Sequence, residues 1–192
     1  MEGSSMRSAF VFAAIVVSTA AYAGPVTYEI DSSHSFPRFE YRHLGFSTQQ
    51  SRFNKTTGSI VLDKEARIGQ ATIIVDARSI DTGVPALNRH IQTEEFFDTQ
   101  HFPEIVFISD DFRFDGERPV AINGVLTVKG ITRPLVLNIV SFKCMLHPMA
   151  KKEACGADAV GTLKRSEFNM GKYVPLVSDE VTLRIAVEAM RK

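Results

Sequence analysis

The chain has 192 residues, 22 Lys+Arg against 22 Asp+Glu, and 44% hydrophobic residues. Balanced charge removes the global field with which a protein gathers nucleic acid or an anionic surface, so nucleic-acid binding is excluded as a leading function. No apolar run free of charge reaches the roughly 20 residues of a membrane-spanning helix.

In chain order, Arg7 precedes an apolar core from Ala9 to Val17 and then Ala21-Tyr22-Ala23, the order of a cleavable secretory leader. Cleavage is expected after Ala23, with Met6 as a second candidate start. No twin-arginine pair is present, which points to the general secretory route. Residues 24–192 read as one exported domain, since no linker, repeat or low-complexity tract divides them.

From Val26 onward, apolar and non-apolar residues alternate with period two, the signature of strands with one dry and one wet face. Strands are expected at Val26–Ile30, Phe36–Arg42, Gly58–Leu62, Ala71–Asp76, Ile105–Ser109, Val120–Val128, Leu135–Phe142, Ala157–Arg165 and Val181–Glu188. The last is the cleanest: Val181, Leu183, Ile185 and Val187 share one face and Thr182, Arg184 and Glu188 the other. Lys129-Gly130-Ile131-Thr132 reads as a turn. Between Val84 and Asp98, Pro85 can open a helix, and Leu87, Ile91 and Phe96 recur at helical spacing. The pattern predicts an all-β fold: an antiparallel barrel of about eight strands with a short helical insert over one side or mouth.

Fourteen phenylalanines and no tryptophan make a lopsided aromatic choice. Many belong to ordinary core packing. Ile105-Val106-Phe107-Ile108, however, is apolar on both faces, as a strand is when a helix covers its outside and its inside is also dry. Such an interior can shield a long hydrocarbon from water at about 25 cal/mol per Å² buried.

Cys144 and Cys155 flank Met145-Leu146-His147-Pro148-Met149 and Lys151-Lys152. In an oxidising compartment they suit a disulfide across a strand-to-strand loop. The alternative is a soft-metal site of Cys144, His147, Met149 and Cys155, ligands that suit copper(I), but its spacing matches no standard motif.

Catalytic constellations are absent from the pattern. Asp31, Ser33, His34 and Ser35 carry hydrolytic residue types, yet in an extended segment they alternate between faces and cannot align as nucleophile, base and orienter. There is no Gly-x-Ser-x-Gly elbow, phosphate-binding loop or dinucleotide fingerprint. His43, His90 and His101 lack a second ligand at metal or haem spacing, so no metal is expected. His43 shares a face with Phe39 and Tyr41 and could present a donor to a ligand head group.

The ordered motifs resemble the YceI family of bacterial lipid-binding proteins. They run from Tyr28-Glu29-Ile30-Asp31 and His34-Ser35 through His43-Leu44-Gly45-Phe46-Ser47, Ser79-Ile80-Asp81-Thr82, His90-Ile91 and Glu95-Phe96-Phe97-Asp98. They continue with Phe102-Pro103, Phe107-Ile108-Ser109, the segment from Gly124 to Thr132, Arg165-Ser166-Glu167-Phe168 and Ser178-Asp179-Glu180-Val181. Two positions depart from the family pattern: Arg52 before Phe53, and Asn169 after Phe168, where many members carry glycine.

The resemblance implies an extended, lipocalin-like barrel in the periplasm, holding a polyisoprenoid or isoprenoid-tailed quinone and requiring no cofactor. It implies a carrier rather than an enzyme, with transient inner-membrane contact, and leaves monomer and homodimer open. Residues expected to face the ligand are Phe39, Tyr41, His43, Phe46, Ile60, Leu62, Ile73, Val75, Leu87, Ile91, Phe97, Phe107, Ile122, Leu126, Leu137, Phe168, Leu183 and Ile185. Two rival readings are an enzyme or redox partner acting on a tunnel-bound quinone, and a structural protein with a filled interior.

Overall fold

The computed structural model describes residues 24–192, and the expected leader, 1–23, lies outside the described residues. Each alternating stretch forms a strand. In chain order they are β1 (Val26–Ile30), β2 (Arg38–His43), β3 (Ser47–Phe53), β4 (Thr56–Asp63), β5 (Ile68–Asp76), β6 (Ile80–Asp81), β7 (Glu104–Asp115), β8 (Arg118–Val128), β9 (Ile131–Leu146), β10 (Glu153–Lys164) and β11 (Glu180–Arg191), with one helix, α1 (Pro85–Ile91), before β7. The helix is shorter than the spacing predicts. Beyond Gln92 the chain turns, with Thr93 N–H donating to the His90 carbonyl and Phe97 N–H to that of Ile91.

The strands form one sheet in the order β1-β4-β5-β7-β8-β9-β10-β11-β2-β3-β6, and β1 also pairs with β11. That extra pairing closes eight strands, β1, β4, β5 and β7 to β11, into the antiparallel, lipocalin-like barrel expected. β11 has two partners along its length. Its C-terminal Ala189, Met190 and Arg191 pair with β1, while Thr182, Leu183 and Arg184 pair with Glu40, Phe39 and Arg38 of β2. Toward its N-terminal end the sheet therefore continues into β2, β3 and β6.

The two ends of the barrel are filled differently. At the end carrying the β9–β10 hairpin, Tyr28, Leu62 and Ala189 are buried, with Val26, Ile30, Phe112, Phe114 and Phe142 packed on them. The Phe112 ring lies so close to Gly69 that a Cβ there would meet it at 2.3 Å, so this packing requires glycine. At the other end the two-residue turn Lys129-Gly130 joins β8 to β9 with both residues at positive φ, 51° and 71°. Gly130 also faces the Phe102 ring, which a Cβ would meet at 2.8 Å.

One expectation fails on the outside. Ile108 is 50% exposed, so among the described residues no helix covers β7 there; α1 contributes instead to the mouth described below. Ile108, Val125 and Val136 leave the outer face of β7 to β9 apolar and in water.

Cys144 and Cys155 are register partners across β9 and β10 and are joined as a disulfide. Bonded sulfurs are not thiolates, which removes both from the soft-metal alternative. Nearby, Tyr28 donates from its hydroxyl to Glu153 Oε2 at 3.0 Å. Glu153 also lies 3.5 Å from Lys64 Nζ and 3.7 Å from Arg191 Nη1. Burial, then the bond to Glu153, pushes the Tyr28 phenol up to about 12.

Two outcomes follow for this end. Thiol titration of unreduced protein should find no free thiol, and Cys144→Ser with Cys155→Ser should cost about 2–3 kcal/mol in urea unfolding. The phenol is raised above its unfolded value of about 10, so its contribution is full below that pH and is lost as pH rises toward about 12. Wild type should accordingly lose stability through this window relative to Tyr28→Phe, which itself should cost about 1 kcal/mol near neutrality.

Candidate binding cavity

Above the aromatic plug, the barrel encloses a cavity of about 560 Å³, within the range of small-molecule sites. Its wall is mostly apolar. β5 supplies Ile73 and Val75, β7 supplies Ile105 and Phe107, β8 Leu126 and Val128, β9 Leu135 and Leu137, β10 Leu163, and β11 Val181, Leu183 and Ile185. No residue of β1 or β4 contributes; Phe39, Tyr41 and His43 of β2 and Gln49, Ser51 and Phe53 of β3 complete the wall. The split pairing of β11 thus decides which strands surround the hollow.

Two loops and the β2–β3 hairpin frame the mouth. α1 and the segment after it place Leu87, His90, Ile91, Phe96 and Phe97 over the wall. Phe97 stands edge-on to Phe53 at 5.5 Å and to Phe39 at 6.2 Å, which holds this segment against β2 and β3. The connection from β10 to β11 supplies Arg165, Phe168, Met170, Lys172, Tyr173 and Val177. The two loops meet where Phe96 lies 6.3 Å from Tyr173 and Lys172 pairs with Glu95. Lys129 braces both by donating to the Glu94 and Asn169 carbonyls.

Arg165 organises the second loop. It is buried, and its guanidinium donates to the carbonyls of Met170, Lys172 and Val177, while Nε donates to that of Ser178 at 2.8 Å. Burial lowers its pKa, against the nearby Asp179 charge. Because these donors are spent on backbone, Arg165 shapes the rim rather than offering a free fork to a ligand.

Polar groups gather near β2 and β3. Burial raises the Tyr41 phenol above its ordinary range, so it stays protonated as a donor. Its hydroxyl has no hydrogen-bond partner among the described residues. His43 and Gln49 lie on the same stretch of wall.

Of the residues named from sequence, Phe39, Tyr41, His43, Ile73, Val75, Leu87, Ile91, Phe97, Phe107, Leu126, Leu137, Phe168, Leu183 and Ile185 lie on the cavity wall. Four do not. Ile60 is opposite Tyr28 and Ala71 in register, on the inward face but outside the cavity lining. Leu62 is buried in the plug. Ile122 pairs with Phe112 and packs against the main core, level with the plug. Phe46 points into solvent at the tip of the β2–β3 hairpin, 87% exposed, because Leu44 and Gly45 turn the chain before it.

The wall also uses residues the sequence reading leaves unnamed. Phe53, Gln49 and Ser51 sit on β3, whose sequence Ser47-Thr48-Gln49-Gln50-Ser51-Arg52-Phe53 lacks apolar alternation. The usable signal was Leu44-Gly45, a hairpin turn after one clear strand. Ile105, Val128, Leu135, Leu163 and Val181 continue the inward faces of strands already identified.

The catalytic test changes in geometry and keeps its result. Residues 31–34 form a turn rather than a strand, so Asp31, Ser33 and His34 do converge. Asp31 Oδ1 accepts from the Ser33 hydroxyl at 2.6 Å, and Asp31 Oδ2 and Ser33 Oγ lie 2.7 and 3.0 Å from His34 Nδ1. Both partners therefore address one ring nitrogen, whereas a relay needs serine on the other. The Ser33 bond, then His34, holds the Asp31 carboxyl below its usual range, and Asp31 raises His34. His101 is likewise bound to Asp98 at 2.8 Å, and His90 packs on Phe96 at 5.0 Å.

The comparisons agree with this architecture. Protein YceI of Salmonella agona is 29% identical over 186 residues, covering 95% of this chain and 96% of the relative. The crystal structure of Burkholderia cenocepacia BcnA superposes with a TM-score of 0.71 at 22% identity, over 83% of this chain and 99% of the other. A polyisoprenoid binding domain from Saccharophagus degradans, implicated in plant cell wall breakdown, has a TM-score of 0.62 at 13% identity, over 87% of this chain and 99% of that one. The YceI-like domain matches residues 28–189, and the chain belongs to that family.

Proposed function

We propose that this protein is a periplasmic carrier that holds one isoprenoid lipid, a polyprenyl chain or an isoprenoid quinone, by its tail in the barrel cavity. The observation that carries this reading is an apolar hollow with an aromatic floor and a framed mouth, inside a barrel that ordinary packing could have filled. Family membership and the ligand named for the Saccharophagus domain support it. The floor limits depth: a chain longer than the hollow must fold back or leave its head outside. Among head groups we favour a quinone, because the Tyr41 phenol is a neutral donor suited to a carbonyl acceptor. The rival, chemistry on that quinone, needs a base held by an orienting group, and no such partner of the His43 ring is found among the described residues.

Native mass spectrometry and solvent extraction of protein purified from its own periplasm should release about one isoprenoid lipid per chain. Leu126→Lys should empty the cavity while leaving the barrel's circular dichroism unchanged, because it sets an unpaired charge on a dry wall. His43→Ala should lower lipid content at most, and neither form should turn over a short-chain quinone. Folded, lipid-free wild type would overturn the carrier reading, and wild-type turnover abolished by His43→Ala would replace it with the enzyme.

A further inference from the structure

The mouth is surrounded by apolar residues that face water. Phe46 is 87% exposed at the hairpin tip, and Leu44 beside it donates its N–H to the Leu176 carbonyl at 2.7 Å, which places Leu176, itself 62% exposed, on the same rim. Tyr173 is 48% exposed and also lines the cavity, so the apolar wall continues over the edge to the outside.

The backbone sets two of these residues apart. Leu44 and Tyr173 hold left-handed conformations, φ 52° and 67°. The other non-glycine residues that do so among those described, Arg67, Asp98, Lys129, Lys151 and Asn169, are all polar. A large apolar side chain is disfavoured both by that conformation and by water, and a position that combines the two penalties is a candidate functional one.

We propose that this rim is a docking surface for a lipid bilayer, with Phe46, Leu44 and Leu176 inserted at the acyl boundary and Tyr173 at the threshold. A tail then passes between bilayer and cavity without crossing water. The inference rests on the carrier reading. Apolar area rather than attraction to anionic lipid is the driving force: of the cations around the mouth, Lys172 is paired with Glu95, Arg165 and Lys129 are spent on backbone carbonyls, Arg38 also lines the cavity, and formal net charge is zero. The opposite end offers a natural contrast. Met149 there is 85% exposed in the β9–β10 hairpin that carries the disulfide, and it does not line the cavity.

The chain has no tryptophan, so a single introduced indole reports its surroundings without background. Phe46→Trp should shift its emission to the blue on addition of phosphatidylcholine vesicles, and equally with phosphatidylethanolamine–phosphatidylglycerol vesicles. Met149→Trp should not shift with either. Phe46→Ser with Leu176→Ser should transfer lipid from vesicles about tenfold more slowly or worse, at unchanged melting temperature and with unchanged occupancy of protein already loaded. Docking is overturned by a silent Phe46→Trp, by an equal or larger shift of Met149→Trp, by a shift with protein concentration alone, which would mark a second copy as the occupant, or by undiminished transfer in the double variant. A blue shift in Phe46→Trp with no lipid recovered from wild type would leave docking standing and remove the carrier.

Discussion

The change of partner along β11 is the constraint on which the molecule depends. An eight-stranded barrel has an interior that side chains can just fill, and near the disulfide this one does so with Tyr28, Leu62, Phe112, Phe114 and Phe142. Toward its N-terminal end, β11 leaves β1 and takes β2. There β2 and β3 take the place of β1 and β4 in the wall, and the interior opens into the cavity. One closed hydrogen-bond network thereby supports a solid half and a hollow half. The larger cluster of buried residues, among them Phe107, Leu126, Leu137 and Phe168, lines the hollow, and the smaller one, around Tyr28, Leu62 and Ala189, fills the plug.

A hollow with an apolar lining must be kept open without exposing polar backbone at its edge. The β10–β11 connection runs across the mouth with many carbonyls and little regular structure, and Arg165 answers them from inside. A guanidinium suits this task because it offers several donors in a fixed fork, and four backbone acceptors take four of its five N–H groups. Lys129 plays a lesser version of the same role between the two rim loops. The mouth is thus ordered by cations that hold main chain, which leaves Tyr41, His43 and Gln49 facing the cavity.

How much of this was legible in sequence depended on the length scale of each signal. Alternation reports which face of a strand is dry, and Leu126, Leu137, Leu183 and Ile185, read as inward from it, line the cavity. It says nothing about depth along the barrel axis. Ile60, Leu62 and Ile122 have the right face and the wrong level, since the boundary between plug and hollow is set by where β11 changes partner, a contact between distant strands. β3 escaped notice because its cavity side is Gln49 and Ser51 before Phe53. The turn at 31–34 defeated an extended-chain argument because Asp31 folds the segment onto its own side chain. Phe46 was read as inward although, three residues after His43, it is out of phase with Phe39, Tyr41 and His43, and the left-handed pair Leu44-Gly45 turns the chain before it.

That broken phase shows why a residue can look like core and serve at the surface. A hairpin tip needs residues that tolerate positive φ, and asparagine followed by glycine would satisfy it at lower cost in water. Here the tip reads Leu44-Gly45-Phe46, so the local turn chemistry is only half met and two large apolar groups stay hydrated. Neither the barrel nor the plug gains from them, since the main core closes without either. What they adjoin is the framed mouth of the cavity. The plug packs the barrel at the disulfide end while the framed mouth lies toward the other, so the same residues that fill one end leave the cavity to be served from the side where Leu44 and Phe46 stand.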